Sequence, residues 1–159
     1  MTLFAATADD INRRFKMIFC DTSTLAKYYV SEAESAMVRV CLDAEDQVVL
    51  SELARAELIA VFHRRLREQT WSRRQFEAAT RQFIKDDMSG YWSWRLLDSL
   101  IVNEAVKIYS VLPETIFLRT ADCLHLVTAL HHGFTEIHTH DVHQIRAASA
   151  LGLAPASIL

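Results

Sequence analysis

The chain has 159 residues, of which 51% are hydrophobic and 23% are charged, and this composition predicts one compact domain with an ordinary buried core. Its formal net charge of -3 excludes a surface that attracts polyanions as a whole, so any contact with nucleic acid has to be local. No apolar run approaches the roughly 18 residues of a membrane span, which argues against an integral membrane protein.

The cysteines and the N-terminus indicate where such a protein works. Cys20, Cys41 and Cys123 have no CxxC spacing, which favours reduced thiols in the cytoplasm over a disulfide framework or a zinc site. Residues 1–16 lack the sustained apolar segment and the cleavage site of a secretory signal. We interpret residues 1–16 as an N-terminal extension or an alternative start, and residues 17–159 as the domain.

Strands and helices are predicted to alternate along the whole domain. The predicted strands are short apolar or aromatic runs at 17–20, 47–50, 91–97, 136–139 and 154–158. The predicted helices cover 25–30, 33–42, 52–69, 73–87, 99–110, 119–132 and 142–151. Ser51, Ser72 and Asp98 are the predicted N-caps of the third, fourth and fifth of these helices. This alternation predicts an α/β fold with a central, mainly parallel sheet that is covered by helices on both faces.

Four acidic residues stand at ends of these elements or on an apolar helix. Asp21 and Asp141 each follow an apolar strand, where an N-cap role alone would explain them. Asp122 lies near the start of an apolar helix, where the helix dipole favours a negative charge. Glu57 has the apolar neighbours Leu58 and Ile59, and a carboxylate with little access to water needs a cation or a hydrogen-bond partner.

Taken together, the four acids favour a metal site over four separate structural roles. Carboxylates at strand ends and helix starts meet at one edge of a parallel sheet, where they repel each other unless a cation lies between them. A ligand set made only of oxygen favours Mg²⁺ or Mn²⁺ over zinc. Such an ion activates water at neutral pH and neutralises the charge that grows on a phosphate under attack.

Four segments resemble the signature segments of PIN domains, in the order found in VapC-type toxins. These segments are FCDTSTLAKYY, SELARAELIAV, LRTADCLHLVTAL and THDVHQIRAASALGL. The resemblance implies a PIN-like three-layer α/β/α fold and a metal-dependent ribonuclease that acts as the toxin of a toxin–antitoxin pair. It further implies an RNA substrate, a cognate antitoxin and a homodimer.

The resemblance also implies residue roles. Asp21, Glu57, Asp122 and Asp141 would be the catalytic, metal-binding acids, and Ser23 would support them through its hydroxyl. Thr139 stands two residues before the last acid and is predicted to have a similar supporting role. Some family members carry a further acid two places after the fourth, where this chain has His143, so the sequence leaves one or two metal ions open.

Two other functions are weighed against this one. His138 and His140 alternate along a predicted strand and could bind a transition metal together with Asp141, as in a different metallohydrolase, but no further His or Cys stands at a matching spacing. We expect His140 and His143 to approach RNA phosphate instead. A PIN-like module that binds RNA or protein without catalysis is the second alternative, and the presence of all four acids argues against it.

Arginines and aromatic residues supply the candidate binding surfaces. Arg64, Arg65, Arg73 and Arg74 belong to an arginine-rich stretch that is interpreted either as a solvated helix surface or as a contact for RNA or for an acidic antitoxin. The aromatic residues of 91–97 fit core or dimer packing better than stacking on bases.

Overall fold

The computed structural model describes residues 17–157, so the predicted extension at 1–16 and the end of the last predicted strand at Ile158 lie outside the described residues. Its centre is a five-stranded sheet in the order β3-β2-β1-β4-β5, and each neighbouring pair is parallel. The strands are β1 Met17–Cys20, β2 Gln47–Ser51, β3 Trp92–Arg95, β4 Glu136–His138 and β5 Ala154–Ala156. The predicted α/β class and parallel sheet are therefore confirmed.

Seven helices connect and cover these strands in the described part of the chain. They are α1 Thr22–Tyr29, α2 Ser35–Asp43, α3 Leu53–Arg67, α4 Arg73–Met88, α5 Ser99–Val111, α6 Thr120–His131 and α7 Val142–Ala150. None of them is long and apolar enough to cross a membrane.

The hydrophobic core has two halves, one on each face of the sheet, because successive side chains of a strand point to opposite faces. Phe19 packs with residues of α5, α6 and α7 on one face. Cys20 packs with residues of α1 to α4 on the other face. Both side chains are fully buried, which places β1 at the centre of three layers.

Several boundaries differ from the prediction for local reasons. Helix α1 begins at Thr22 rather than at 25, because the Asp21 side chain accepts the Thr24 N–H and caps the helix directly after β1. Ser51 is the last residue of β2 and the N-cap of α3 is Glu52, so the prediction of Ser51 as the N-cap was wrong. Its hydroxyl accepts only a long hydrogen bond of 3.4 Å from the Leu53 N–H.

The N-caps predicted at Ser72 and Asp98 are confirmed. The Ser72 hydroxyl accepts the Gln75 N–H while the Gln75 side chain accepts the Ser72 N–H, which completes a capping box. The Asp98 carboxylate accepts the N–H groups of Leu100 and Ile101. These caps fix the starts of α4 and α5.

The sheet order also determines where side chains can converge. From β1 the chain continues to β2 and β3 on one side, and later returns to β4 and β5 on the other side. A crevice opens outside the carboxyl ends of two adjacent parallel strands whose connections leave in opposite directions. Asp21 follows β1 and Asp141 follows β4 at this point.

Candidate active site

Asp21 is held at the end of β1 by a nearly complete set of hydrogen bonds. Its backbone N–H donates to the His138 carbonyl oxygen at 3.1 Å, which joins the ends of β1 and β4. Its carboxylate accepts the Thr24 N–H at 3.0 Å and the hydroxyls of Ser23 and Thr139 at 2.7 Å and 2.8 Å. Three donors for about four lone-pair sites leave this buried carboxylate roughly one site for a ligand.

Ser23 and Thr139 connect the two strand ends through hydrogen bonds of their hydroxyls. The Ser23 hydroxyl accepts the His140 N–H at 2.8 Å, and the Thr139 hydroxyl accepts the Asp141 N–H at 3.1 Å. Since the same hydroxyls donate to Asp21, the loop after β4 is tied to the first acid.

Asp141 caps α7 with one carboxylate oxygen and keeps the other for the site. Its Oδ1 accepts the N–H groups of His143 at 2.8 Å and Gln144 at 3.1 Å. The Arg119 Nη1 lies 3.7 Å from its Oδ2. Asp141 is therefore the N-cap of α7, and this role leaves its Oδ2 available for a cation.

Glu57 is positioned by two residues that sequence reasoning missed. Its Oε2 lies 2.7 Å from the Nε2 of His125 and accepts a hydrogen bond from the Thr22 hydroxyl. Burial raises the pKa of Glu57, but the hydrogen bonds from His125 and Thr22 and the charge of His125 outweigh it, so the pKa is lowered overall. Glu57 is therefore ionised, and His125 donates from Nε2.

One signal in the sequence could have identified His125. It stands three residues after Asp122 in a strongly apolar helix, so it faces the same side of α6 as that acid. Its side chain is only 2% exposed. A buried histidine needs a partner, and here the partner is the acid of another helix.

Asp122 lacks a hydrogen-bond donor where one is needed. Its Oδ2 is buried without a hydrogen-bond partner among the described residues. Burial raises the pKa of Asp122, the charges of Asp141 and Asp21 raise it further, and Arg119 and His125 counteract only part of this rise. A cation beside Oδ2 would relieve both the desolvation and the repulsion.

All four acids line one groove of about 1000 Å³. The same groove is lined by Ser23, His125, His140 and Arg64, and by the Phe76 ring. The all-carboxylate donor set and the unpartnered Asp122 oxygen fit a hard divalent cation. Among residues 17–157, however, no three His, Cys, Asp or Glu side chains are already arranged to hold a metal ion.

The four arginines that were predicted to contact RNA have different surroundings in the structure. Arg64 lines the groove, and no carboxylate of the described residues is paired with it. Arg65 is paired with Glu32 instead. Arg73 lies over the Phe76 ring at 5.7 Å, and neither Arg73 nor Arg74 lines the groove.

The histidines after β4 do not form a joint site. His140 lines the groove, whereas His138 is not among the lining residues and has its Nε2 3.0 Å from the Glu136 Oε1. The strand ends at His138, so the two residues do not alternate along one strand as predicted. His143 packs its ring 5.0 Å from that of Phe117 and does not line the groove.

Comparisons with known proteins agree with the fold. The family model for the PIN domain matches residues 18–150, which is more than half of the chain. No curated protein sequence matches the chain significantly.

Solved structures share the fold at low sequence identity. VapC20 of Mycobacterium tuberculosis, described as a toxin that cleaves the sarcin-ricin loop, is 17% identical over 86% of this chain and 96% of its own, with a TM-score of 0.66. FitAcB from Neisseria gonorrhoeae is 19% identical over 87% of this chain and 96% of its own, with a TM-score of 0.67. FitAB bound to an IR36 DNA fragment is 19% identical over 89% of this chain and 94% of its own, with a TM-score of 0.64.

Proposed function

The chain belongs to the PIN-domain family, and on that premise we propose that it is a metal-dependent endoribonuclease that acts as the toxin of a toxin–antitoxin pair. The observation that carries the proposal is the position of Asp21, Glu57, Asp122 and Asp141 along one groove at the carboxyl edge of the sheet. A structural role as N-cap accounts for two of these acids, but for neither Glu57 nor the unpartnered oxygen of Asp122.

The four acids would hold Mg²⁺ or Mn²⁺, which when bound supplies activation of a water and charge neutralisation at the phosphate. Asp21 has roughly one lone-pair site left and is already fixed in orientation, so it gives one rigid contact. Asp122 and Asp141 each offer an Oδ2 that has no hydrogen-bond donor among the described residues.

Hydrolysis requires RNA to bind along the groove that the four acids line. Arg64 lies on the groove wall without a paired carboxylate among residues 17–157, and Phe76 lines the same groove with an aromatic ring. An unpaired guanidinium suits a phosphate, and a ring suits a base of single-stranded RNA. We therefore assign the RNA contact to Arg64 and not to Arg65, which is engaged by Glu32.

The RNA path can be tested with two arginine variants. We expect Arg64→Gln to raise the KM for a single-stranded RNA about tenfold with a smaller change in kcat, because a charge-assisted hydrogen bond to phosphate is lost. Arg74→Gln removes the same charge from an exposed site outside the groove and is the matched control. Equal effects of the two substitutions would refute a specific contact.

The partners of the structural neighbours suggest those of this chain. VapC20 is described as a toxin, and FitAB as a complex that binds DNA. By analogy we propose a cognate antitoxin for this chain, a location in the cytoplasm where RNA is available, and a homodimer. Three apolar side chains of α5 with helical spacing, Val102, Val106 and Tyr109, are 46%, 63% and 43% exposed and supply the dimer surface.

Cleavage of RNA by the purified chain tests the enzymatic part of the proposal. We expect cleavage with Mn²⁺ or Mg²⁺, none in excess chelator, and a loss of about a hundredfold or more in Asp122→Asn. Asp46→Asn, an exposed acid outside the groove, should cleave like the wild type. Full activity in chelator or in Asp122→Asn would refute the mechanism.

The toxin role needs a separate experiment in cells. Expression of the chain alone should arrest growth, and co-expression of the neighbouring open reading frame should restore it. Asp122→Asn at the same expression level should leave growth unaffected. Normal growth on strong expression of an RNA-cleaving wild type would show a nuclease with another role.

A further inference from the structure

Arg119 is the one Arg or Lys within ion-pair distance of the four acids among residues 17–157. It is the N-cap residue of α6, and its Nη1 lies 3.7 Å from the Asp141 Oδ2 and 4.0 Å from the Asp122 Oδ2. Lys27 lines the groove but is paired with Glu32 and Glu34 instead. The positive charge between the two acids is therefore that of Arg119.

The guanidinium of Arg119 is held in place by an aromatic contact. It lies 5.7 Å from the centre of the Phe117 ring, and that ring packs against His143, the residue two places after Asp141. A cation over an aromatic face is stabilised by the quadrupole of the ring. The side chain of Arg119 is 58% exposed, so this contact orients it without burying it.

The ion pair of Arg119 with the two acids contains no hydrogen bond, so another cation can replace the guanidinium. At 3.7 Å and 4.0 Å the nitrogen is beyond hydrogen-bond distance of both oxygens. Because the Arg119 side chain is exposed and no hydrogen bond joins it to either carboxylate, the pair contributes little and separates easily. The same two oxygens are the ones that a divalent cation would need.

We propose that Arg119 is an internal counter-ion of the Asp122–Asp141 pair and competes with the divalent metal ion for these two carboxylates. This inference rests on the proposed metal-dependent function. Without metal, the guanidinium neutralises part of the repulsion between the acids. Metal binding displaces the guanidinium. Substitution of Arg119 therefore strengthens metal binding and weakens the metal-free fold.

Direct measurement of Mn²⁺ binding in the absence of RNA tests the competition. By isothermal titration calorimetry we expect Arg119→Gln to bind Mn²⁺ roughly two- to fivefold more tightly than the wild type, because a weak ion pair with an exposed arginine no longer competes. Arg119→Lys keeps the charge and should lie between the two. Arg146→Gln removes an exposed charge outside the groove, and any tightening that it shows is the general effect of net charge.

Thermal unfolding in excess chelator tests the counter-ion role without metal. Arg119→Gln should lower the Tm below that of Arg146→Gln, and the double variant Arg119→Gln/Asp122→Asn should regain the loss, because the repulsion is then gone. An unchanged or weaker Mn²⁺ affinity in Arg119→Gln overturns this inference alone. A wild type that binds no Mn²⁺ or Mg²⁺ overturns it together with the proposed function.

Discussion

At Asp122 the proposed metal-binding role and the stability of the metal-free fold oppose each other. Burial raises the pKa of this carboxyl, and the charges of Asp141 and Asp21 raise it further. Without metal, the ionised form is thus less favourable in the folded chain than in the unfolded chain. Residues that are optimised for catalysis often cost stability in this way.

Asp122→Asn should therefore stabilise the metal-free protein. We expect an increase of about 1 kcal/mol in the free energy of unfolding at pH 7 in chelator, because the amide carries no charge to desolvate or repel. Since the folded pKa is raised, the destabilisation by Asp122 is complete above that pKa and disappears below the usual pKa of Asp, about 3.9. The gain in unfolding free energy of Asp122→Asn over the wild type should therefore shrink as the pH falls from 7 towards 4.

Denaturant unfolding at several pH values, with Asp46→Asn as the exposed control, measures this difference. A destabilised Asp122→Asn at pH 7 would show that the carboxylate has a stabilising partner. A gain that grows at acidic pH would contradict the sign of the pKa shift.

His125 offers a second test at the scale of single residues, because its Nε2 holds the Glu57 carboxylate in place. His125→Leu removes the donor and should raise the Mn²⁺ concentration for half-maximal activity about 10- to 100-fold, as is usual for residues that orient a metal ligand. His125→Gln keeps an N–H donor and should recover part of this loss. Equal activation curves for the two variants, at equal Tm, would leave His125 with a packing role only.

The four acids, Ser23 and Thr139 could be proposed from sequence, whereas His125 and Thr22 could not. Three of the acids stand at or near a strand or helix boundary that local patterns reveal, and Glu57 lies one turn inside α3. The contacts of His125 join it to Glu57 across 68 residues and to Thr22 across 103 residues, and no local pattern encodes such distances. The same holds for Arg65, which is paired with Glu32 across 33 positions of the chain.

At the scale of elements, Asp141 serves as a helix cap and as a site residue at once. Its Oδ1 accepts two N–H groups of α7, and its Oδ2 faces Arg119. We expect Asp141→Asn to lose RNA cleavage while it keeps the cap, because Asn is as good an N-cap as Asp. Asp141→Ala should lose cleavage and also about 1 kcal/mol of unfolding free energy.

Comparison of the two variants by denaturant unfolding and by RNA cleavage separates the two roles. Equal stability of the Asn and Ala variants would mean that the cap contributes nothing to α7. Retained cleavage in Asp141→Asn would remove this acid from the predicted metal ligands.

The elements themselves were largely predictable, and their boundaries less so. Each predicted strand and helix within residues 17–157 has a counterpart in the fold. The third strand was predicted over 91–97 but is limited to Trp92–Arg95, since only these residues pair with β2. A strand ends where its partner ends, and the partner is not visible in local sequence.

At the scale of the whole molecule, the sheet order brings the acids together. Local patterns predict parallel strands, but not that β1 lies between β2 and β4. This order places the carboxyl end of β1 beside that of β4, with Asp21 bonded to His138 across 117 positions of the chain, from residue 21 to residue 138. The position of acids at strand ends and helix starts predicted that they would meet at one edge of the sheet, but not which strands would be neighbours.

The exposed apolar surface of α5, formed by Val102, Val106 and Tyr109, leads to the prediction on assembly. A stable dimer needs an interface of about 1,000 Å² or more with an apolar centre. Val106→Glu would place a charge at that centre, where the desolvation of an unpaired carboxylate is costly. We expect a dimeric wild type and a monomeric Val106→Glu at micromolar concentration, measured by light scattering after size-exclusion chromatography.

Val40→Glu is the matched control, because Val40 is 72% exposed and lies on α2, away from α5. It should stay dimeric with an unchanged Tm, since the same charge then remains in water. A wild type that is monomeric, or a Val40→Glu that dissociates as Val106→Glu does, would refute α5 as the contact. A dimer of both variants would place the interface on another surface and leave Val106 an exposed valine without a partner.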